Sequence, residues 1–371
     1  MYSLLLPFSL LGGASAARPF LNEPDTGFDA YFADLPAGEL PPLDQLVGLP
    51  DFDAAARRHL SAMNYTYYRN GAGGEWSYRN NLEVYNRYSL RPRTMVDITN
   101  IESTLQTTIL GHNFSAPFFI SPCARGEYGN LNKEQGLVEG AAAGDILYMP
   151  ALLASMTIEE ITTFKKDDQV TFQQVYLDSN DTATQQIFDR AKKSGAKALV
   201  FTVDSAADGN RHRAARYGWD LYDHLATMTD LPIVLKGIQT VEDAQKAVEH
   251  GVPAVYLSNH GGRQIDSARA TLDIALEIHR QAPEVFSQLE VYADGGVRYG
   301  ADVVKLLALG DRAVGVGRPF MFANVYGTEG VGRAIEMLKH EVAIDAANAG
   351  VADLKKIDPS IVDWTPNWAL A

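Results

Sequence analysis

Cysteine is almost absent. Cys123 is the single thiol in 371 residues, which excludes an intrachain disulfide framework. Cationic excess is missing too. Asp and Glu number 46 against 32 Lys and Arg, a formal net charge of −14. That balance argues against a nucleic-acid-binding surface, which needs clustered cations. A small anionic substrate stays open, because one arginine inside a pocket reverses the local field. The apolar run at residues 4–11 (LLLPFSLL) is too short to cross a bilayer as a helix, so no membrane partner is expected. Small residues follow it, with an Ala14-Ser15-Ala16 cleavage-like triplet. Residues 1–17 therefore resemble a secretory signal, although no Lys or Arg precedes the apolar run. The expectation is a secreted protein, with an intracellular location as the alternative. No internal repeat, low-complexity tract or long linker interrupts the remainder, so residues 20–371 read as one domain.

What the chain does have is a beat. Short apolar runs fall at residues 117–123 (PFFISPC), 146–151 (ILYMPA), 171–176 (TFQQVY) and 198–204 (ALVFTVD). Four more follow at 233–238 (IVLKGI), 254–260 (AVYLSNH), 289–296 (LEVYADGG) and 312–319 (RAVGVGRP). Amphipathic stretches at 182–194, 241–250, 271–281 and 300–309 lie between them, and Thr157 and Thr240 are placed to cap helices. Continuous apolar runs alternating with helices predict parallel βα units buried on both faces. Polar residues sit at the C-terminal ends of the runs: Gln174 and Tyr176, Thr202 and Asp204, Lys236, Ser258 and His260, Asp294, Arg318. In an α/β barrel of the (β/α)8 TIM type those ends converge on one mouth, whereas an open doubly wound sheet holds the outer ones apart. The barrel, with its core at 117–345, is the prediction. Before it, 41–47 and 52–68 read as helical, 71–74 as a loop, and 91–98 and 103–109 as extended, together an N-terminal cap.

The strand ends carry chemistry. The glycine-rich segments ADGGVRYGADV (293–303) and GVGRPF (315–320) allow backbone N–H groups and Arg298 or Arg318 to approach a phosphate, with ordinary βα turns as the alternative. Lys236, in an apolar barrel centre, suits a Schiff base, a stabiliser of negative charge on a ligand, or a buried salt bridge. An imidazole suits general-base chemistry, and His260 is the candidate base, with Asp204 as the carboxylate that holds it. Arg263 offers a planar fork to a carboxylate.

SNHGGRQ (258–264) resembles the signature of the FMN-dependent α-hydroxy-acid oxidases and dehydrogenases, the family of glycolate and lactate oxidases, mandelate dehydrogenases and lactate-dehydrogenating flavocytochromes. NYTYYRNGA (64–72), RPRTMVDIT (91–99), QQVY (173–176), TVD (202–204), LKGI (235–238), DGGVR (294–298) and GRPF (317–320) match in the same order. The resemblance implies FMN as cofactor and an (S)-2-hydroxy acid as substrate. It implies roles as well. His260 abstracts a proton and Asp204 stabilises its protonated form. Arg263 and Tyr65 hold the substrate carboxylate, Tyr176 meets the hydroxyl, and Arg211 is the second active-site arginine. Lys236 faces the flavin pyrimidine. Gln174, Thr202, Ser258 and Ala124 bind the flavin, with Asp294 and Gly296 on the ribityl arm and Arg298, Gly317 and Arg318 on the phosphate. A homotetramer is also implied. No haem domain is recognised in the 371 residues, so O2, giving H2O2, ranks above a dehydrogenase acceptor.

Three segments depart from the family: CARGEYGNLNKEQG (123–136), PALLAS (150–155) and the short passage from Asp204 to Leu231. One flavin hydrogen bond is expected to be missing, and Leu152 and Leu153 reshape the substrate side. The short passage predicts a more open site and a bulkier hydroxy acid. A larger secondary metabolite and a non-catalytic flavin-binding barrel are the alternative functions.

Overall fold

The computed structural model describes residues 26–177, 180–205 and 218–367. Its centre is a curled parallel sheet of seven strands: β1 Phe118–Ile120, β2 Phe172–Val175, β3 Ala198–Thr202, β4 Ile233–Ile238, β5 Ala254–Leu257, β6 Glu290–Asp294 and β7 Ala313–Val316. The spatial order is β1-β7-β6-β5-β4-β3-β2. The run at 146–151 fills the gap between β1 and β2 with one residue. Tyr148 bridges Ile120 on one side and Thr171 on the other, both in parallel sense. Ile120 N donates to Leu147 O at 3.0 Å, and Gln174 N to Pro150 O at 2.9 Å. The expected eighth strand is thus reduced to a bridge. Pro150 has no N–H to extend a ladder.

β1 to β5 and β7 are buried along their whole length, as helices outside and side chains inside require. The inner layer holds Phe119, Met149, Phe172, Val200, Val234, Tyr256 and Tyr292, with Ile109 and Phe114 entering from a hairpin. Phe119, Tyr256 and Tyr292 meet edge to face, with centroids 5.4, 5.9 and 6.3 Å apart. Full burial of each such ring stabilises the fold by roughly 1.5–3 kcal/mol. This aromatic layer is the floor of the mouth above it.

The helices largely follow the sequence periodicity: Asp181–Lys193, Val241–Glu249, Thr271–Gln281 and Gly300–Leu309. Thr157 forms a full capping box with Glu160, and the Thr240 hydroxyl accepts from Asp243 N. The N-terminal cap differs from expectation. Residues 52–68 split into Leu49–His59 and Ala62–Arg69, because Ser61 caps the second helix and accepts from Asn64 N. Trp76–Glu83 is an additional helix. Residues 41–47 contain only the turn Leu43–Gln45. Residues 91–98 form no strand, being exposed and holding a proline, Pro92, that lacks a donor. Of 103–109 only Thr107–Ile109 is extended, pairing with His112–Phe114. Among the described residues no helix is long and apolar enough to cross a membrane.

Candidate active site

β5 ends in a turn with three successive residues in the left-handed region: His260 at φ +58°, Gly261 at +62° and Gly262 at +73°. For a residue with a Cβ this conformation costs roughly 1–2 kcal/mol, so surrounding contacts must fix it. His260 N donates to Ser258 Oγ at 3.0 Å, and Gly262 N to Asn259 Oδ1 at 3.1 Å. Asn259 and Asn81 exchange a reciprocal pair of amide hydrogen bonds, both 2.8 Å. A Cβ on Gly262 would lie 2.6 Å from Tyr78 N, so the glycine lets the helix Trp76–Glu83 close on the turn.

Strained in this way, His260 places Nδ1 2.9 Å from Asp204 Oδ1, just beyond β3. Burial pushes the Asp204 carboxyl up, but the His260 hydrogen bond and the Lys236 charge outweigh it, and the group titrates below its usual value. An anionic Asp204 keeps a proton on Nδ1, the tautomer that leaves Nε2 as acceptor. The other Asp204 oxygen, Oδ2, is buried and has no hydrogen-bond partner among the described residues.

Lys236, on β4, donates to Ser258 Oγ at 2.8 Å and lies 3.7 Å from Asp294 Oδ2. Asp294 also accepts from Ser258 Oγ at 2.7 Å and from the Tyr256 hydroxyl at 2.8 Å. Burial works against the ammonium, yet Asp294 and Asp204 raise its pKa on balance. A lysine held in its charged form suits charge stabilisation and not a Schiff base.

These groups open on a cavity of about 320 Å³. His260, Arg263, Tyr176, Lys236 and Ala124 line it, together with Asp294, Gly296, Arg298, Gly317 and Arg318. Three guanidinium groups therefore border one small space. Arg318 donates to the carbonyls of Tyr68, Gly261 and Asn70, Arg263 to those of Tyr67 and Asn70, and Arg298 to that of Val297. No carboxylate pairs with any of the three among the described residues. Burial, reinforced by Arg263 and Arg298, pushes Arg318 down to about 10. A phosphate would relieve that repulsion. The donor set, two glycine-bearing strand ends and a buried lysine fit a flavin mononucleotide.

Other predicted residues lie elsewhere. Tyr65 does not line the cavity. Its hydroxyl donates to Asp53 at 2.9 Å, and its ring stacks on Phe322 in the core. Helical phase is the reason: Tyr65 is buried toward Asp53 and Phe322, whereas Tyr67 and Tyr68, further along Ala62–Arg69, reach the mouth. Tyr67, which the sequence reading missed, lines the cavity under the Arg263 guanidinium, 5.2 Å from its ring centroid. Gln174 and Thr202 bond to each other at 2.9 Å, Gln174 also accepts from Leu152 N, and neither lines this cavity. Ser258 is fully buried beneath Lys236 and likewise does not line it. Arg211 falls outside the described residues, as does the 1–17 segment. Asn81, Ser121 and Cys123 line the cavity unforeseen. The amide partner of Asn81 comes from a turn 178 residues away, a pairing that no local pattern announces. A second, larger chamber of about 720 Å³ shares Leu153 and Tyr176 with the first and has Asp204 and Thr202 in its wall.

Comparison with known proteins gives the family and the fold. The family model described as FMN-dependent dehydrogenase matches residues 56–226 and 214–364. L-lactate dehydrogenase (cytochrome) of Saccharomyces cerevisiae is 34% identical over 366 residues, covering 87% of this chain and 62% of that protein. The chain thus spans less than two thirds of that relative. A peroxisomal (S)-2-hydroxyacid oxidase of Arabidopsis thaliana is 34% identical over 364 residues, covering 88% of this chain and 96% of the oxidase. The solved flavin-binding domain of baker's yeast flavocytochrome b2 superimposes with a TM-score of 0.84 at 35% identity, covering 94% of this chain and 93% of that one. A mandelate oxidase structure does so at 0.76 and 30%, covering 86% and 98%. The chain belongs to the FMN-dependent dehydrogenase family, and its cofactor is FMN.

Proposed function

We propose that the chain oxidises an (S)-2-hydroxy acid to the 2-oxo acid, with O2 as the electron acceptor and H2O2 as its product. The observation that carries the reading is the His260–Asp204 pair, 2.9 Å apart, at a cavity that also holds Arg263, Tyr176 and Lys236. Bound FMN supplies a two-electron acceptor. Arg263 holds the substrate carboxylate by its planar fork, which requires exchanging its present carbonyl partners for the ligand. Tyr67 takes the carboxylate role first assigned to Tyr65, because Tyr67 lines the cavity beside the Arg263 guanidinium and Tyr65 does not, and Arg211 is the second arginine. Tyr176 hydrogen-bonds the hydroxyl. His260 Nε2 takes a proton as the C2–H and O–H bonds give way to a carbonyl, and Asp204 stabilises the imidazolium. Lys236 offsets negative charge arising beside it, and Arg298 and Arg318 hold the phosphate with Gly296 and Gly317. The secretory leader and the homotetramer complete the reading.

Relatives include both oxidases and cytochrome-linked dehydrogenases, so the acceptor needs its own measurement. Anaerobic addition of 2-hydroxy acids to the flavin-loaded protein should bleach the oxidised-flavin band, and admitting air should restore it with one H2O2 per flavin. Bleaching without peroxide would make the chain a dehydrogenase. A flavin band that no hydroxy acid bleaches would overturn the reading.

A further inference from the structure

We infer that Tyr256 is a positioning residue that raises the electron affinity of the bound flavin, by occupying one oxygen of Asp294 and so leaving the Lys236 ammonium turned to the cavity. The inference rests on the FMN cofactor of the family and not on the hydroxy-acid reading. Tyr256 does not line the cavity. It is fully buried in the inner layer beneath it and acts through residues that do line it: Ser121, Lys236, Asp294 and Gly315. Strand register brings them together. Tyr256 on β5 is the partner of Lys236 on β4, and Asp294 on β6 is the partner of Gly315 on β7. Partners in a parallel pair share one face of the sheet, here the inner one. A Cβ on Gly315 would fall on the Tyr256 hydroxyl and close on Ser121 Oγ, so the glycine leaves the phenol room to reach Asp294.

Each hydroxyl in this cluster has a single proton, which fixes the direction of the bonds. The Tyr256 proton goes to Asp294 Oδ2, at 2.8 Å. Ser121 Oγ is therefore the donor in its 2.7 Å bond to the Tyr256 oxygen. Burial and the Asp294 charge keep the phenol protonated. Ser258 Oγ donates to Asp294 Oδ1 at 2.7 Å and accepts from Lys236 Nζ at 2.8 Å and His260 N at 3.0 Å, so both its lone pairs are taken. Lys236 Nζ stands 3.7 Å from Asp294 Oδ2, beyond hydrogen-bond reach, because the phenol already holds that oxygen. A lysine kept one bond short of its carboxylate retains more of its field for the cavity it lines. Without the hydroxyl, Asp294 Oδ2 becomes a buried carboxylate oxygen lacking a donor, which is costly. The Lys236 ammonium is then drawn onto it, and positive charge that favours flavin reduction is withdrawn from the cavity.

The test is the midpoint potential of the flavin-loaded full chain, read by equilibrating it with a reference redox dye during slow reduction. No hydroxy acid enters the measurement, so its outcome is independent of the functional reading. Tyr256→Phe removes the hydroxyl alone. It keeps the ring, its edge-to-face contacts with Phe119 and Tyr292, and its place 4.9 Å from Lys236 Nζ. The flavin–dye equilibrium should shift about tenfold toward oxidised flavin, about 30 mV lower for a two-electron couple. Tyr292→Phe is the control. It takes a hydroxyl from the same layer, one that donates to Glu290 Oε2 at 2.7 Å, and should stay within about twofold of wild type. Ser121→Ala removes the donor to the Tyr256 oxygen and should shift the equilibrium in the same direction, by roughly threefold. An unchanged or raised potential in Tyr256→Phe overturns the inference, and so does an equal shift in Tyr292→Phe. If Tyr256→Phe does not hold flavin, Ser121→Ala decides, and an unchanged potential there overturns the inference as well.

Discussion

Asp204 is one carboxylate with two obligations. It holds the His260 proton at 2.9 Å, and its charge helps keep the buried Lys236 protonated. Asp204→Asn preserves shape and one acceptor but removes the charge. We expect kcat for hydroxy-acid oxidation to fall by a factor on the order of 100–1,000, with the flavin still bound, as steady-state kinetics on the reconstituted variant will show. The pKa shift has a direction. Because the folded-state value lies below the unfolded one, Asp204 contributes stability above the usual carboxylate range and loses it as pH falls through the folded value. His260, Asp204 and Arg263 were legible in sequence because each follows an apolar run that fixes its strand and its end. The tyrosine was not. Tyr65, Tyr67 and Tyr68 lie within four positions, and only the phase of the helix Ala62–Arg69, set by contact with Asp53 and Phe322, separates a core residue from a cavity residue.

At the scale of elements, the loop that follows β6 is held by its neighbours as much as by its own sequence. Gly296 has φ +84°, and a Cβ there would lie 1.8 Å from the Asn81 carbonyl oxygen. Gly296→Ala should therefore push the helix Trp76–Glu83 off the loop and weaken FMN binding at least about tenfold, measured by fluorescence titration of the apoprotein. The helix that follows starts among carboxyl groups. Asp302 accepts from Arg298 N and Tyr299 N, and Glu341, from the helix Gly327–Asn348, accepts from Gly300 N. Burial pushes Asp302 up to about 6 and Glu341 up to about 7. A raised carboxyl favours the folded state at low pH, and that contribution fades as pH rises through the folded values. Glu341→Gln should accordingly raise the melting temperature at pH 8 relative to wild type, with no gain at pH 4, by differential scanning calorimetry. The βα alternation was readable because a strand buried on both faces needs an unbroken apolar run. Residues 91–98 were misread for a related reason: β-branched residues predict a strand only where a neighbour exists to pair with, and here the segment is exposed.

The whole molecule sets one sign of charge against another. The formal net charge is −14, while the cavity is bordered by Arg263, Arg298, Arg318 and Lys236. An anionic ligand would be repelled at a distance and attracted only at contact. Salt screens the distant term first. The second-order rate constant for a monoanionic acid should therefore rise, by roughly twofold, between 10 and 150 mM ionic strength, as flavin reduction at varied NaCl will reveal. A fall across that range would mean that the cavity's own field reaches solvent.

The barrel is a hoop with a clasp. Ladders of three or four residue pairs join β1 and β7, β7 and β6, and so on round to β3 and β2, but the last gap has Tyr148 as its one bridging residue, with two backbone hydrogen bonds to each neighbouring strand. Its hydroxyl is buried without a partner among the described residues, so the fastening also carries a desolvation cost of about 1–3 kcal/mol. Breathing of the ring should begin there, and the amides of Ile120, Met149 and Phe172 should exchange with deuterium ahead of those in β4 and β5. For anyone wishing to splice a new sequence into this chain, the clasp is the place where the wall should yield first.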